Sequence, residues 1–126
     1  MDIKEYRRAY YLANKEKSDE YHKRWVKKHP KQRRVHILKC NRKKKTLVLG
    51  HYSFIGLPEC AYCGIRDVDV LCLDHIDNDG GGLCRREGSG IRFYTWIVKN
   101  NFPAGYQVLC ANCNLKKEIS RVREVT

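Results

Sequence analysis

No stretch of this 126-residue chain approaches the ~20 consecutive apolar residues that a membrane-crossing helix needs. The opening Met-Asp-Ile-Lys-Glu lacks the apolar segment of a secretory signal, so a soluble, intracellular protein is expected. The run Gly80-Gly81-Gly82 is not followed by Gly-Lys-Ser/Thr, which excludes a nucleotide-phosphate loop of that kind. The seven cysteines are an odd number, and a reducing compartment disfavours disulfides. Metal binding is then the better account of those that fall in pairs. The length fits one small domain plus an appendage, with a core modest enough to benefit from a metal staple.

Acidic residues are scarce where basic ones are dense. Residues 1–46 hold 17 of the 26 Lys and Arg but only 5 of the 14 Asp and Glu, a net charge of +12. Residues 47–126 hold nine of each and are neutral. The chain is therefore expected to divide at about residue 46, into a basic helical arm and a neutral module. A concentrated basic arm is the electrostatic footprint of a nucleic-acid binder. Arg7, Arg8, Lys23, Arg24, Lys27, Arg33 and Arg34 are its expected contacts to DNA phosphates.

The arm reads as helix with breaks. Ile3, Tyr6, Tyr10 and Ala13 form one apolar stripe at helical spacing. Ser18 or Asp19 can cap a second helix, Pro30 ends or kinks it, and a third stretch runs from Lys31 to about Arg42. Glu5-Tyr6 repeats as Glu20-Tyr21, Arg8 as Lys23 and Tyr10 as Trp25, which suggests duplicated basic helices. Their aromatics are expected to pack the helices together or onto the module. Residues 46–49 read as a strand or a linker ended by Gly50. Residues 67–74 are β-like, and residues 77–90 are a glycine-rich loop. Residues 91–101 are helical with Tyr94, Ile97 and Val98 on one face. A short apolar run over 107–109 precedes a final helix from Asn112 to about Val122, with Leu115, Ile119 and Val122 at i, i+4 and i+7.

Two Cys-x-x-Cys pairs, Cys60/Cys63 and Cys110/Cys113, carry the strongest chemical signal. Each puts two thiolates on one tight turn, and together they supply the four ligands that a structural zinc takes. Cys40, Cys72 and Cys84 fall outside the pairs: Cys72 reads as a small core residue, and Cys84 as a reactive or incidental thiol. Between the pairs sits Leu73-Asp74-His75-Ile76-Asp77, and Asn114 follows the second pair directly. An imidazole can take a proton from water at neutral pH, so His75 is the candidate general base. Asp74 is a hard-metal ligand candidate. Neighbours on a flat strand face opposite ways, so the strand is expected to end or twist there. Asn114 can cap the helix it begins or offer a carbonyl oxygen to a hard cation. Asp77 and Asp79 shape the following turn or add a ligand. Arg85 and Arg86 either clamp a phosphate or are surface charge.

The order Cys-x-x-Cys, Asp-His-Ile, Leu-Cys-x-x-Cys-Asn resembles the HNH nucleases of the ββα-metal class, and more narrowly the small zinc-bearing HNH endonucleases of bacteriophages. The resemblance spans roughly residues 58–120, including Phe102-Pro103-Ala104-Gly105-Tyr106-Gln107-Val108-Leu109. It implies an α+β fold: a ββα-metal module with a four-cysteine zinc site, preceded by basic α-helices. It also implies a metal-dependent endonuclease with Asp74 and Asn114 holding Mg2+ or Mn2+ and His75 as base, leaving 5′-phosphate and 3′-hydroxyl ends on double-stranded DNA. Were the gene a phage's, the host bacterial cytoplasm would be the site of action. The chain departs from the pattern at Gly105, where these proteins usually carry Asn, although a backbone carbonyl there can still hold the imidazole N–H. The alternatives are a non-catalytic zinc-containing DNA-binding protein and an RNA-binding protein of ribosomal type. Neither needs Asp74, His75 and Asn114 together.

Overall fold

The computed structural model of the chain describes residues 1–78 and 88–126. The described residues form an α+β structure of four helices and a two-stranded antiparallel sheet, in the order α1 (Ile3–Lys28), α2 (Pro30–Tyr52), β1 (Leu71–His75), α3 (Ile91–Lys99), β2 (Tyr106–Cys110) and α4 (Ala111–Val125). The chain separates into two compact units, Met1–Lys39 and Cys40–Thr126.

In the first unit the expected break at Ser18 and Asp19 is absent, and α1 runs unbroken for 26 residues. No glycine or proline interrupts it, and a residue able to cap a helix need not do so when good helix formers flank it. The helix stops at His29, whose backbone N–H closes α1 onto the Trp25 and Val26 carbonyls. Pro30 then opens α2, where its missing N–H costs nothing and its fixed φ suits the first turn. The aromatics do not form a packed seam. Tyr6, Tyr10 and Tyr21 are each more than 60% exposed, and α1 buries none of its residues. Tyr6 stacks on Tyr10 and Trp25 on His29, both one turn apart along the chain.

In the second unit residues 46–49 are neither strand nor linker. They lie inside α2, and Val48 and Leu49 are fully buried. This stretch is helical because it brings two apolar side chains to the core while Gly50 lets the following loop close over it. A Cβ on Gly50 would stand 3.0 Å from the Gly56 carbonyl oxygen, so the loop backbone would have to give by a few tenths of an ångström to admit one. Lys44 Nζ donates to Thr95 Oγ1 at 3.0 Å, and Arg42 pairs with Asp69. So the basic end of α2 belongs structurally with the module.

The sheet starts later than residue 67, because Asp67 folds the chain into a turn. Its Oδ1 accepts the Asp69 N–H at 3.0 Å and its carbonyl accepts the Val70 N–H at 3.1 Å. Strand pairing then runs from Leu71↔Cys110 to His75↔Tyr106. Val108 and Leu109 are neighbours on β2 and both are buried, so both faces of the sheet are covered. Leu49, Cys60, Leu71, Val108, Leu109, Cys110 and Cys113 form one buried cluster, and Val48, Phe93, Ile97 and Tyr106 a second. Two strands alone are marginal in water, so the helices and the cysteine cluster must supply the rest.

Leu49→Ala is expected to destabilise the second unit by about 2–5 kcal/mol in denaturant unfolding. An exposed residue of α1 such as Leu12, changed the same way, should shift the transition by about 0.5 kcal/mol or less.

Candidate functional site

The two cysteine pairs meet at one end of the sheet. Cys60 begins a tight turn in which its N–H donates to the Ile65 carbonyl at 2.8 Å and its carbonyl accepts the Gly64 N–H at 3.0 Å. The next amide, Ala61, donates to Val108 on β2 at 2.8 Å and so docks the turn against the strand. The second pair straddles the junction of β2 and α4. Cys110 ends the strand and caps the helix, its Sγ accepting the Cys113 N–H at 3.4 Å. The four Sγ atoms lie within 4.8 Å of one another, with Cys63 and Cys110 3.6 Å apart. A tetrahedral ion with ~2.3 Å bonds to sulfur sets its ligands ~3.8 Å apart, so the cluster can hold a metal ion such as zinc.

The electrostatics of the four thiols favour that use. Burial pushes the Cys60 thiol up, but the backbone N–H groups of Cys63, Cys110 and Tyr62 outweigh it and bring it down to about 6. Cys113 is pushed up to about 12, first by the Cys110 sulfur and then by burial. One thiolate forms readily and the last is opposed by its neighbours. A dication at the centre removes that opposition.

The Asp-His pair occupies the other end of the ladder. His75 lies four residue steps beyond Leu71, roughly 13 Å along a strand. β1 ends at His75, as expected, but Asp74 and His75 are both inside it and both paired, so no break falls between them. The two side chains accordingly take opposite faces. Asp74 turns toward α4, where its Oδ2 accepts from Lys117 Nζ at 2.6 Å and from its cross-strand partner Gln107 Nε2 at 2.9 Å. His75 turns toward α3, its ring stacked on Phe93 at 5.6 Å and edge-on to Tyr106 at 4.9 Å. Its Nε2 is buried and has no hydrogen-bond partner among the described residues.

Asn114 does not cap α4, a role that Cys110 fills. It stands one turn in, half-buried, and its Nδ2 donates to Cys72 Sγ at 3.5 Å. Cys72 and Asp74 lie two apart on β1 and share a face, so this bond places Asn114 on the face that carries Asp74. Cys72 is half-buried rather than part of the core, and its thiol donates to the Leu109 carbonyl at 3.3 Å. Burial pushes this thiol up.

Asp74 and Asn114 thus share a face, and His75 flanks the same strand end from the other. Gly105 adopts φ +104, which only glycine takes without strain, and its carbonyl accepts the Ile76 N–H at 3.0 Å rather than the imidazole. Asp77 is exposed in the turn after β1. Asp79, Gly80, Gly81, Gly82, Cys84, Arg85 and Arg86 lie outside the described residues. Arg7, Arg8, Lys23, Arg24, Lys27, Arg33 and Arg34 are all exposed in the first unit. Beside them an open hollow of about 530 Å³ is lined by His22, Trp25, Val26, Arg33, His36 and Ile37.

Sequence reasoning does not single out Lys117 and Gln107, yet they are the partners of Asp74. Lys117 is legible in principle, lying three residues past Asn114 on the same helical face. Gln107 is not, because its place opposite Asp74 depends on strand register.

Comparison with protein-family models, with curated proteins and with solved structures returns no match for this chain. The site must be read from its own geometry.

Cys110→Ser is expected to lose bound metal, as measured by elemental analysis, and to unfold the second unit. It removes a metal ligand, while the serine hydroxyl can still accept the Cys113 N–H that caps α4, so the loss reports on the ligand. The parent should keep its metal at pH 7 and release it as acid protonates the thiolates, because metal and protons compete for the same sulfurs.

Proposed function

We propose that this chain is a metal-dependent HNH-type endonuclease that hydrolyses phosphodiester bonds in double-stranded DNA. In this reading β1, β2 and α4 are the ββα-metal core, and zinc is the ion in the cysteine cluster. The observation that carries the reading is the buried Nε2 of His75, which has no hydrogen-bond partner among the described residues, one residue from a carboxylate whose hydrogen bonds among them all fall on Oδ2. A buried ring nitrogen without a partner costs about 1–3 kcal/mol, so its persistence in a small domain calls for a use. A water aligned on Nε2 would satisfy it, and His75 would take that water's proton as the oxygen attacks phosphorus. Phe93 and Tyr106 pack against the ring and would orient it.

Asp74 and Asn114 stand on one face of β1 and each offers a hard oxygen, the ligand type that Mg2+ or Mn2+ takes. A divalent ion there would supply Lewis-acid stabilisation of the scissile phosphate and the leaving 3′ oxygen. The exposed cations of the first unit would grip the flanking phosphates.

A second reading has its own support. Asp74 already pairs with Lys117 through Oδ2, and His75 faces away from it. A zinc module that binds DNA without cutting it would tolerate both facts.

Supercoiled plasmid incubated with the protein and Mg2+ or Mn2+ decides between the two. Relaxed or linear product that EDTA abolishes supports the nuclease. Retarded but uncut plasmid supports the binding module. His75→Ala should cut about 10²–10⁴-fold more slowly while keeping its zinc and its affinity for DNA. Parent-like cutting by His75→Ala would refute the assignment.

The arm separates affinity from chemistry in the same way. A chain reduced to residues 40–126 should keep zinc and some cleavage but bind DNA more weakly and with a flatter salt dependence, because fewer counterions are released. Equal salt slopes for the two chains would show that the arm is only a solvated face.

A further inference from the structure

Lys117 makes more bonds at the candidate site than any role in ordinary packing requires. Its Nζ donates to Asp74 Oδ2 at 2.6 Å, to the His75 carbonyl at 2.6 Å and to the Ile76 carbonyl at 3.3 Å. Those contacts match the three N–H donors of an ammonium. Its side chain and that of Asp74 are each only 13% exposed, so solvent screens the pair little. Gln107 adds its bond to the same carboxylate oxygen. Oδ2 is therefore held twice, while Oδ1 accepts no hydrogen bond among the described residues.

An aspartate carboxylate turns about two torsions. Fixing one oxygen against a helix and a neighbouring strand sets the direction of the other. The two carbonyls that Lys117 binds lie at and just past the last rung of the sheet, where ladder pairing gives out. The same ammonium thus anchors the backbone from which the His75 ring projects.

We propose that Lys117 is a positioning residue of the candidate cleavage site, holding Asp74 by Oδ2 so that Oδ1 is presented to a divalent cation, and fixing the strand end that carries His75. This rests on the nuclease reading above, in which Asp74 is a metal ligand. Ligating carboxylates are themselves hydrogen-bonded, and loss of such a partner typically costs about 10–100-fold in metal affinity. The sign is informative. An ammonium that merely sat near the site would repel a dication, and its removal would tighten binding.

The test is Mn2+ binding to the zinc-loaded full chain without DNA, followed by the resonance of free Mn2+, with zinc content and melting temperature measured alongside. Lys117→Met keeps the length and removes the charge. It should bind Mn2+ about 10–100-fold more weakly while retaining zinc. Lys117→Arg, which restores a charged donor, should recover part of that loss. Unchanged or tighter Mn2+ binding by Lys117→Met would overturn the proposal. Should Lys117→Met lose its zinc and unfold, Gln107→Leu decides instead: it removes only the second donor to Oδ2, and several-fold weaker Mn2+ binding is expected, with unchanged binding overturning the proposal. Asp74→Asn keeps the two failures apart. If it binds Mn2+ as well as the parent does, the metal role of Asp74, and with it the nuclease reading, is wrong. If Asp74→Asn loses Mn2+ and Lys117→Met does not, only the positioning role is wrong.

Discussion

Cys110 does three jobs at one position, and the rest of the second unit follows from that coincidence. It is the last residue of β2, one corner of the four-sulfur cluster and the cap of α4. A helix that starts on a strand end normally keeps some freedom to rotate about its axis. Here the cluster removes it, because Cys113 must also face the sulfurs. With that rotation set, Asn114 and Lys117 come round to β1, and the apolar residues Leu115, Ile119 and Val122 are left exposed. Helical periodicity alone would have buried the second set. The sulfur geometry outweighs it, since apolar side chains left in water forgo about 1.5–3 kcal/mol each, whereas a zinc held by the four sulfurs would contribute ~10–16 kcal/mol.

The sheet then works as a spacer. One end is tied by sulfur, and the other carries Asp74 and His75. Buried Val108, Leu109 and Leu71 stiffen the ladder between them. The polar end is ordered by a different set of forces: an ion pair shielded from solvent, an amide on the facing strand and an aromatic cage. Removing one partner from a shielded pair strands the other charge, a larger penalty than the pair's own attraction. That asymmetry keeps Asp74 where it is without any metal at its own end of the sheet.

What the sequence conveys depends on the range of the interaction. The cysteine pairs are legible because a ligand turn is local, and its spacing is written in four consecutive residues. Helices α3 and α4 are legible by period, and their ends lie within a few residues of expectation. Residues 46–49 mislead because a short apolar run looks alike in a strand and in a buried helix. Ser18 misleads because a capping residue is only an opportunity. At the site, the identity of Asp74, His75 and Asn114 is open to reading, but their distribution over two faces is not. It follows from β1 continuing through His75, which the pairing with Tyr106 decides. The glycine at position 105 reads in sequence as a missing asparagine. Its φ of +104 shows a backbone constraint that asparagine would strain to meet.

The first unit obeys another logic. Helix α1 buries no residue, so tertiary packing within the unit does little to hold it. Local pairs stabilise it instead, among them Tyr6 on Tyr10, Trp25 on His29 and the Asn14 side chain on the Tyr10 carbonyl. Such contacts add only ~0.2–0.5 kcal/mol each. The dense cations repel along the helix, and phosphates would relieve that repulsion as they bind. A helix stabilised this weakly on its own and strongly by polyanion should gain order as it binds. Under the proposed function the affinity of such an arm would be set by charge and spacing rather than by a fixed pocket, and any choice of where to cut would fall to the second unit.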